Sequence, residues 1–344
     1  MKQFHFIFLF IFSIIGGMGA VVNLNAAAPD SPNLEMYVFS VGQGNFILLK
    51  KDDRFLVVDV GCGAQGRNPL KQYKDKMNFD GKLRKKLINI GFFDVRNSCV
   101  LLVTHNHWDH FCLFSNLNRV VSTPFSFYEN QGSSIALDFW RIRRDKVVDC
   151  GSIINCLGGG STVSCLVPPS NAEKAHEKNL IVFVKYGKVL FILPGDADGD
   201  YLNLNAGAFM DILRGESNGC THCCIVLPHH GSNSNGTLAL TLAAHRVLLE
   251  NGCGEVIFII SSNPMENDHL PRPAVLPLLP NIPKAVMHFF QDSDDVGPLP
   301  LITLAPVFIT CRATDGIGYL VTTDGNNLQL FDGTTPIRLL YPVQ

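Results

Sequence analysis

The sequence predicts a layered α/β sandwich, and three features carry that prediction. Apolar, strand-like runs joined by tight turns occur early, over residues 36–60. They occur again late, over residues 306–331. Helix-period segments are interspersed between these regions without a regular strand-by-strand alternation, which argues for stacked layers and against a continuous βαβ repeat.

In chain order, residues 36–49 (MYVFSVGQGNFILL) are two β-rich runs around Gly42-Gln43-Gly44, a strand, a turn and a strand. That turn lacks the Lys-Ser/Thr ending of a nucleotide loop. Residues 55–60 form a third strand, ending in Asp59-Val60-Gly61-Cys62-Gly63, and the polar stretch 64–80 is a surface loop. Leu83, Leu87, Ile88 and Ile90 have helical spacing, with Lys82, Arg84, Lys85 and Lys86 as a solvated face. Residues 98–103 are a short buried strand; 120–127 and 134–140 read as extended, and 150–170 as strands and loops. Residues 180–186 and 189–193 make a hairpin across Gly187-Lys188. A short helix over 200–216 and a strand over 223–227 follow. Leu238, Leu242, His245 and Leu249 line one side of a helix over 238–250. Then come a strand (255–260), a short helix (273–279), a strand (286–290) and a tail of antiparallel hairpins turning at Asp315-Gly316 and Asp324-Gly325.

The 344 residues are 47% hydrophobic and 17% charged, which excludes a disordered polymer. With 28 Lys+Arg against 30 Asp+Glu the chain has no bulk field for holding long nucleic acid. Residues 1–28 read as a targeting segment: Lys2, an apolar run over residues 4–20, then Ala26-Ala27-Ala28. The expectation is a cleaved signal peptide and an exported protein, periplasmic or secreted. An uncleaved N-terminal anchor, tethering the chain to a membrane, is the alternative. No later segment reads as membrane-spanning. The eleven cysteines all follow this segment, and an odd number leaves at least one unpaired within a monomer. Cys220-x-x-Cys223-Cys224 has no second pair at matching spacing and reads as core or disulfide, not a structural metal knuckle.

One pattern recurs: an apolar strand ends, and charged or imidazole side chains follow at once. It occurs at Asp59, at His105-x-His107-x-Asp109-His110, at Asp196 and at His229-His230. Strand ends fix side chains while leaving them open to a cleft. A lone histidine is more often structural or solvated. Four imidazoles and two carboxylates at strand ends instead point to metal, with zinc first and manganese or iron compatible with the same N/O donors. One tight loop can direct His105 and His107 to one ion and Asp109 and His110 to another, with Asp196 as a bridge.

These residues resemble the metallo-β-lactamase fold superfamily, and most nearly its branch holding the nuclease-like domain of bacterial DNA-uptake competence proteins. The matching pieces are residues 39–44, 57–63, 101–110, 180–196, 225–232 and 263–271. The resemblance implies a four-layer αββα sandwich over residues 34–290; the turns and alternating runs of residues 291–344 read as a β-rich extension packed on it, extending one sheet or forming a small cap. It implies a hydrolase holding two zinc ions at its edge. Its ligands fall on His105, His107, Asp109, His110, Asp196 and one of His229-His230; His229, first off the strand, is the choice. Asp59 matches an aspartate that holds the ligand loop by hydrogen bonds. His176 stands where the superfamily's middle histidine ligand belongs, although the competence-type branch often has asparagine there, so a solvated loop histidine is equally open. Phe111-Cys112 departs from the small residues usual after the motif. His269 matches a histidine that faces the substrate and assists the leaving group. His230, Ser232 and Asn233 are candidates for supporting or substrate contacts, and no G-x-S-x-G elbow makes Ser232 a nucleophile.

The expected activity is therefore hydrolysis of a phosphodiester or related bond, with Asp109 and Asp196 orienting the ions and the attacking water. Expected substrates are a small phosphodiester, a lactone or a β-lactam, with short nucleic acid possible in principle. A β-lactamase or lactonase, and a noncatalytic module with a vestigial site, are the rival readings.

Overall fold

The computed structural model describes residues 33–41, 44–62, 82–94, 98–114, 125–128, 147–148, 154–232, 237–261, 307–309, 318–332 and 335–337. All of them belong to one unit, residues 32–344. In chain order the strands are β1 (Leu34–Phe39), β2 (Phe46–Lys51), β3 (Arg54–Val60), β4 (Ser98–Leu102), β5 (Phe125–Tyr128), β6 (Val147–Val148), β7 (Ser161–Leu166) and β8 (Ile181–Tyr186). They continue as β9 (Val189–Leu193), β10 (His222–Val226), β11 (Glu255–Ile260), β12 (Val307–Ile309), β13 (Gly318–Thr323), β14 (Leu328–Asp332) and β15 (Thr335–Ile337). The helices are α1 (Lys82–Asn89), α2 (Trp108–Phe111), α3 (Gly199–Ser217) and α4 (Thr237–Glu250).

One sheet runs β15-β14-β13-β1-β2-β3-β4-β5-β6 and the other β12-β11-β10-β9-β8-β7. Both are mixed. The first turns from antiparallel to parallel at β3–β4, the second at β9–β10. Alternation of side chains sorts the core into three slabs. Met36, Val38, Ile47, Leu49, Leu56 and Val58 face Val182, Val184, Phe191 and Val226 between the sheets. Phe183, Ile192, Ile225 and Phe258 face Phe209 and Leu213 of α3 and Leu240 and Leu248 of α4. Phe39, Phe46, Phe55 and Leu101 face Leu87 of α1 and the Phe111–Phe114 segment. The result is the αββα sandwich that the resemblance implies, with extra strands. Strands β8–β11 are apolar almost throughout because both their faces are covered.

Three expectations change. The helix after Asp196 is not short: α3 has 19 residues, started by Asp198, whose carboxylate caps the Tyr201 N–H at 3.1 Å. In α4 the buried residues among those described are Leu240, Thr241, Ala244, His245, Val247 and Leu248, while Leu242 and Leu249 are only half-buried. Small Ala244 lies on the buried face, where a search for large apolar residues passes over it. In the tail, β13 and β14 form the hairpin expected at Asp324-Gly325. But β12 pairs parallel with β11 in the other sheet, a long-range pairing that no local turn signals. Expected elements at 64–80, 134–140, 273–279 and 286–290, and the targeting segment 1–28, lie outside the described residues. Among those described, no helix is long and apolar enough to cross a membrane.

Candidate metal centre

The first group of polar side chains hangs from the end of β4. Val103, Thr104 and His105 leave the strand, His107 caps the N-terminus of the one-turn α2 in an extended conformation, and Asp109 and His110 lie within that turn. The second group comes from the other sheet: His176 before β8, Asp196 after β9, and His229 and His230 after β10. The Leu180 N–H donates to the Thr104 carbonyl at 2.9 Å, joining the two groups across the sheets.

Asp59 reaches this site through a β-bulge. Phe46 pairs with Val60 but Ile47 with Val58, so Asp59 is an extra residue, with a left-handed φ of 59°. The bulge also changes the facing of the strand: Val58 packs between the sheets and Val60 on the outer slab. Asp59 Oδ1 accepts the Thr104 N–H at 2.7 Å, and Oδ2 accepts the Thr104 hydroxyl at 2.9 Å and His110 Nδ1–H at 2.6 Å. Gly61 follows because a Cβ there would collide with the main chain of Asp109.

The other imidazoles are oriented in the same manner. His230 Nδ1–H donates to the Ser261 carbonyl at 2.8 Å. His176 Nδ1 stands 3.2 Å from Asp198 Oδ2 and His105 Nδ1 3.3 Å from the Thr104 hydroxyl. In His105, His110, His176 and His230 Nδ1 is held by the protein and Nε2 is turned inward, whereas His107 turns its Nδ1 inward. Asn179 fixes the carboxylate loop: its Oδ1 accepts the Asp196 N–H at 3.0 Å and its Nδ2 donates to the Pro194 carbonyl at 2.7 Å.

The inward atoms form two quartets, each with all its donor atoms within 4.8 Å of one another: His105, His107, His176 and Asp196; and Asp109, His110, Asp196 and His230. Asp196 belongs to both. Its Oδ2 is 3.7 Å from His105 Nε2, and its Oδ1 is 3.1 Å from His110 Nε2 and 3.6 Å from His230 Nε2. His107 Nδ1 and His176 Nε2 are 3.2 Å apart, close to the roughly 3.3 Å expected for two nitrogens on one tetrahedral zinc with bonds of about 2.05 Å. The Nε2 atoms of His105, His110 and His230 and Asp196 Oδ1 are buried without a hydrogen bond. The 3.1 Å approach of His110 to Asp196 is thus an electrostatic contact without hydrogen-bond geometry. Buried orphans of this kind are costly, and two divalent cations, one per quartet, would satisfy all four. The residues present therefore fit a pair of ions with N/O ligands.

Electrostatics divides the quartets. Burial, together with neighbouring His110, pushes His105 well below the usual imidazole range, and burial with His176 lowers His107. His110 and His230 go the other way. Burial opposes their charged forms, but Asp196 and Asp59 beside His110, and Asp196 and Asp109 beside His230, outweigh it. Asp196 stays ionised despite its burial because His110 and His230 flank it.

Of the predicted site residues, the structure brings together His105, His107, Asp109, His110, His176 and Asp196, with Asp59 behind His110. Between the two late histidines, His230 Nε2 faces Asp109 and Asp196, at 3.4 Å from Asp109 Oδ2. His229, the choice from sequence, is grouped instead with His176 and Asp198, its Nε2 3.8 Å from Asp196 Oδ2. Both residues are left-handed, φ 51° and 52°, a conformation that costs about 1–3 kcal/mol each and persists only when the surroundings impose it. That backbone turns the second ring toward Asp109 and Asp196 Oδ1 and the first toward Asp198 and Asp196 Oδ2. Ser232 is buried beside them, its N–H on the His229 carbonyl at 2.8 Å. Asn233 and His269 lie outside the described residues. Thr104, Asn179 and Asp198 were not picked out from sequence. An Asn or Thr abutting an apolar strand at a ligand loop was the available cue.

No protein-family profile and no curated protein matches the chain. Solved structures of similar path include the metallo-beta-lactamase fold protein YhfI from Bacillus subtilis: 11% identical, TM-score 0.44, 85% of this chain and 100% of that one covered. Zn2+-bound PqqB from Methylobacterium extorquens is 13% identical, TM-score 0.40, over 73% of this chain and 95% of that one. A diphosphatase from the PhnP family is 10% identical, TM-score 0.39, over 67% and 87%.

Proposed function

We propose that the chain is a binuclear metal-dependent hydrolase of the metallo-β-lactamase superfamily, with a small phosphodiester or a related ester or amide as substrate. One observation carries the reading: the two oxygens of Asp196 face two separate sets of imidazoles, in which the Nε2 atoms of His105, His110 and His230 are buried without a hydrogen bond. His105, His107 and His176 would hold one ion, Asp109, His110 and His230 the other, and Asp196 both. Zinc suits the donor set, and manganese or iron is accommodated by it. When bound, such a pair supplies a nucleophilic water near neutral pH and neutralises charge on the leaving oxygen.

The chain's own residues do the rest. Asp59, Asp198 and the Ser261 carbonyl fix the imidazole tautomers. Asp109, partly exposed, is the carboxylate placed to orient an attacking water. His229, half-buried beside His176 and Asp198, is assigned to contact a substrate oxygen. His269 is assigned to the leaving side by its place in the sequence motif. The reading includes export directed by residues 1–28, supported by the basic, apolar and small-residue order of that segment. The likeness of Pro228–Ser232 to the competence-type branch favours phosphodiesters among the substrates.

Metal analysis with a substrate panel tests this on wild type and Asp196→Ala. Two ions per chain, turnover of a bis-aryl phosphodiester above that of a chromogenic cephalosporin or a lactone, and loss of both metal and turnover in the variant are expected. Preference for the cephalosporin or lactone moves the substrate class. Absence of metal and turnover in wild type makes the domain a binding module.

A further inference from the structure

Cys62 and Cys112 are joined in a disulfide with Cα atoms 6.1 Å apart and 50 positions between them in sequence. Its placement matters more than its presence. Cys62 follows Asp59-Val60-Gly61, and Cys112 follows Asp109-His110-Phe111, so the bridge ties the bulged segment that presents Asp59 to the segment that presents two of the second quartet's donors. The same two segments also meet through the Asp59–His110 contact, the packing of Val60 on Phe111 and Leu113, and a few main-chain bonds. Leu113 N–H donates to the Val60 carbonyl at 2.8 Å, and Asn45 links the Asp109 carbonyl (3.1 Å) to Gly61 N–H (2.6 Å). Cys112 is fully buried, but Cys62 is partly exposed, which gives a small reductant access to the bridge from one side. Among the other described cysteines, Cys99, Cys156, Cys220, Cys223, Cys224 and Cys253 form no disulfide. Burial pushes the thiols of Cys99, Cys156 and Cys253 up to about 12, so these do not compete as thiolate nucleophiles.

We propose that Cys62–Cys112 is a reversible oxidation site that sets the metal affinity of the Asp109–His110–Asp196–His230 quartet. Closed, it holds Asp59 against His110 and keeps His110 Nε2 and Asp109 in register with Asp196. Opened, it lets the Asp59 bulge and α2 separate, and the quartet loses its orienting partner. This rests on the metal reading above. Opening takes two electrons. A dithiol attacks the bridge, passes through a mixed disulfide and leaves as its own cyclic disulfide, while its two protons end on Cys62 and Cys112. Closing runs the reverse exchange with a small-molecule disulfide as oxidant.

The test uses the full chain, oxidised or reduced with a phosphine, which becomes phosphine oxide with oxygen from water and avoids the metal chelation of dithiols. Non-reducing peptide mapping establishes the bridge, competition with a chromophoric chelator reads zinc affinity, and far-UV circular dichroism reads the fold. Expected are a mapped Cys62–Cys112 peptide and two zinc ions in the oxidised chain. Reduction should weaken one ion at least about tenfold, leave the fold intact, and reverse on reoxidation. Cys62→Ser should behave as the permanently reduced chain and no longer respond to phosphine. Equal affinity in both states, or an unlinked pair in the mapped protein, overturns the switch while leaving the hydrolase reading untouched. A chain that unfolds on reduction overturns it too, since the bridge is then a structural staple. Redox-sensitive zinc binding without turnover upholds the switch and overturns the hydrolase, and a chain that binds no zinc in either state overturns both.

Discussion

Asp59 Oδ2 lies 2.6 Å from Nδ1 of His110, and both side chains are fully buried. This contact joins residues 51 positions apart and fixes which ring nitrogen of His110 turns toward Asp196. It makes a carboxylate that touches no substrate responsible for the geometry of the second quartet.

Asp59→Asn keeps the shape and removes the charge. One ion should bind about 10–100-fold more weakly, while the ion of the His105–His107–His176 group is retained. Zinc titration monitored by stoichiometry checks this. Asp59→Ala should in addition cost about 3–5 kcal/mol of stability in chemical denaturation, because the Thr104 N–H and His110 lose their buried partner.

Ligand imidazoles must shed their protons to bind metal, so acid competes with the ions. His110 and His230 hold protons more tightly than ordinary histidines, whereas His105 and His107 hold them less tightly; in the first quartet only His176, beside Asp198, is raised. As pH falls, the second quartet should therefore empty first. Metal content measured across a pH series should step from two ions to one before the last is lost. Loss in the opposite order would contradict the division of charge between the quartets.

His230→Ala and His229→Ala should separate cleanly. The first removes a donor 3.4 Å from Asp109 Oδ2 and is expected to leave one ion per chain. The second should keep both ions and raise KM more than it lowers metal affinity. Elemental analysis beside steady-state kinetics distinguishes them.

His245 is buried in α4 against Phe258 and burial lowers its pKa to about 4. The unfolded chain, with an imidazole near 6.5, takes up this proton first as pH falls. Stability should thus decline between about pH 6.5 and 4 and not further from this group, by ~3 kcal/mol at most. Urea denaturation at pH 7 and pH 4.5 should show His245→Leu losing less of its stability in acid than wild type.

Much of the centre was legible in sequence because strand ends and donor spacing are local properties. His105–His110, Asp196 and the His pair could be marked before any pairing was known. What was hidden depends on partners far along the chain. The bulge at Asp59 exists only relative to β2. The preference for His230 follows from two successive left-handed residues that neighbouring elements impose. Cys62–Cys112 is one of many pairings that eleven cysteines permit. The exchange of β12 into the second sheet, likewise, has no turn signal. His176 lies between: its spacing leaves a ligand and a loop histidine equally open, and Asp198 at the head of α3, 3.2 Å from its Nδ1, orients the ring.

Residues 105–110 descend from one sheet, and His176, Asp196 and His230 from the other, so the ions would sit astride the seam of the sandwich. A cation there is a rivet as well as a reagent, and binding tightens the closure of the two halves by mass action. Starvation for metal would then shorten the lifetime of the chain, since a sprung seam is what proteases and aggregation exploit. Supply of the ion would be read twice, in catalytic rate and in the amount of protein that survives.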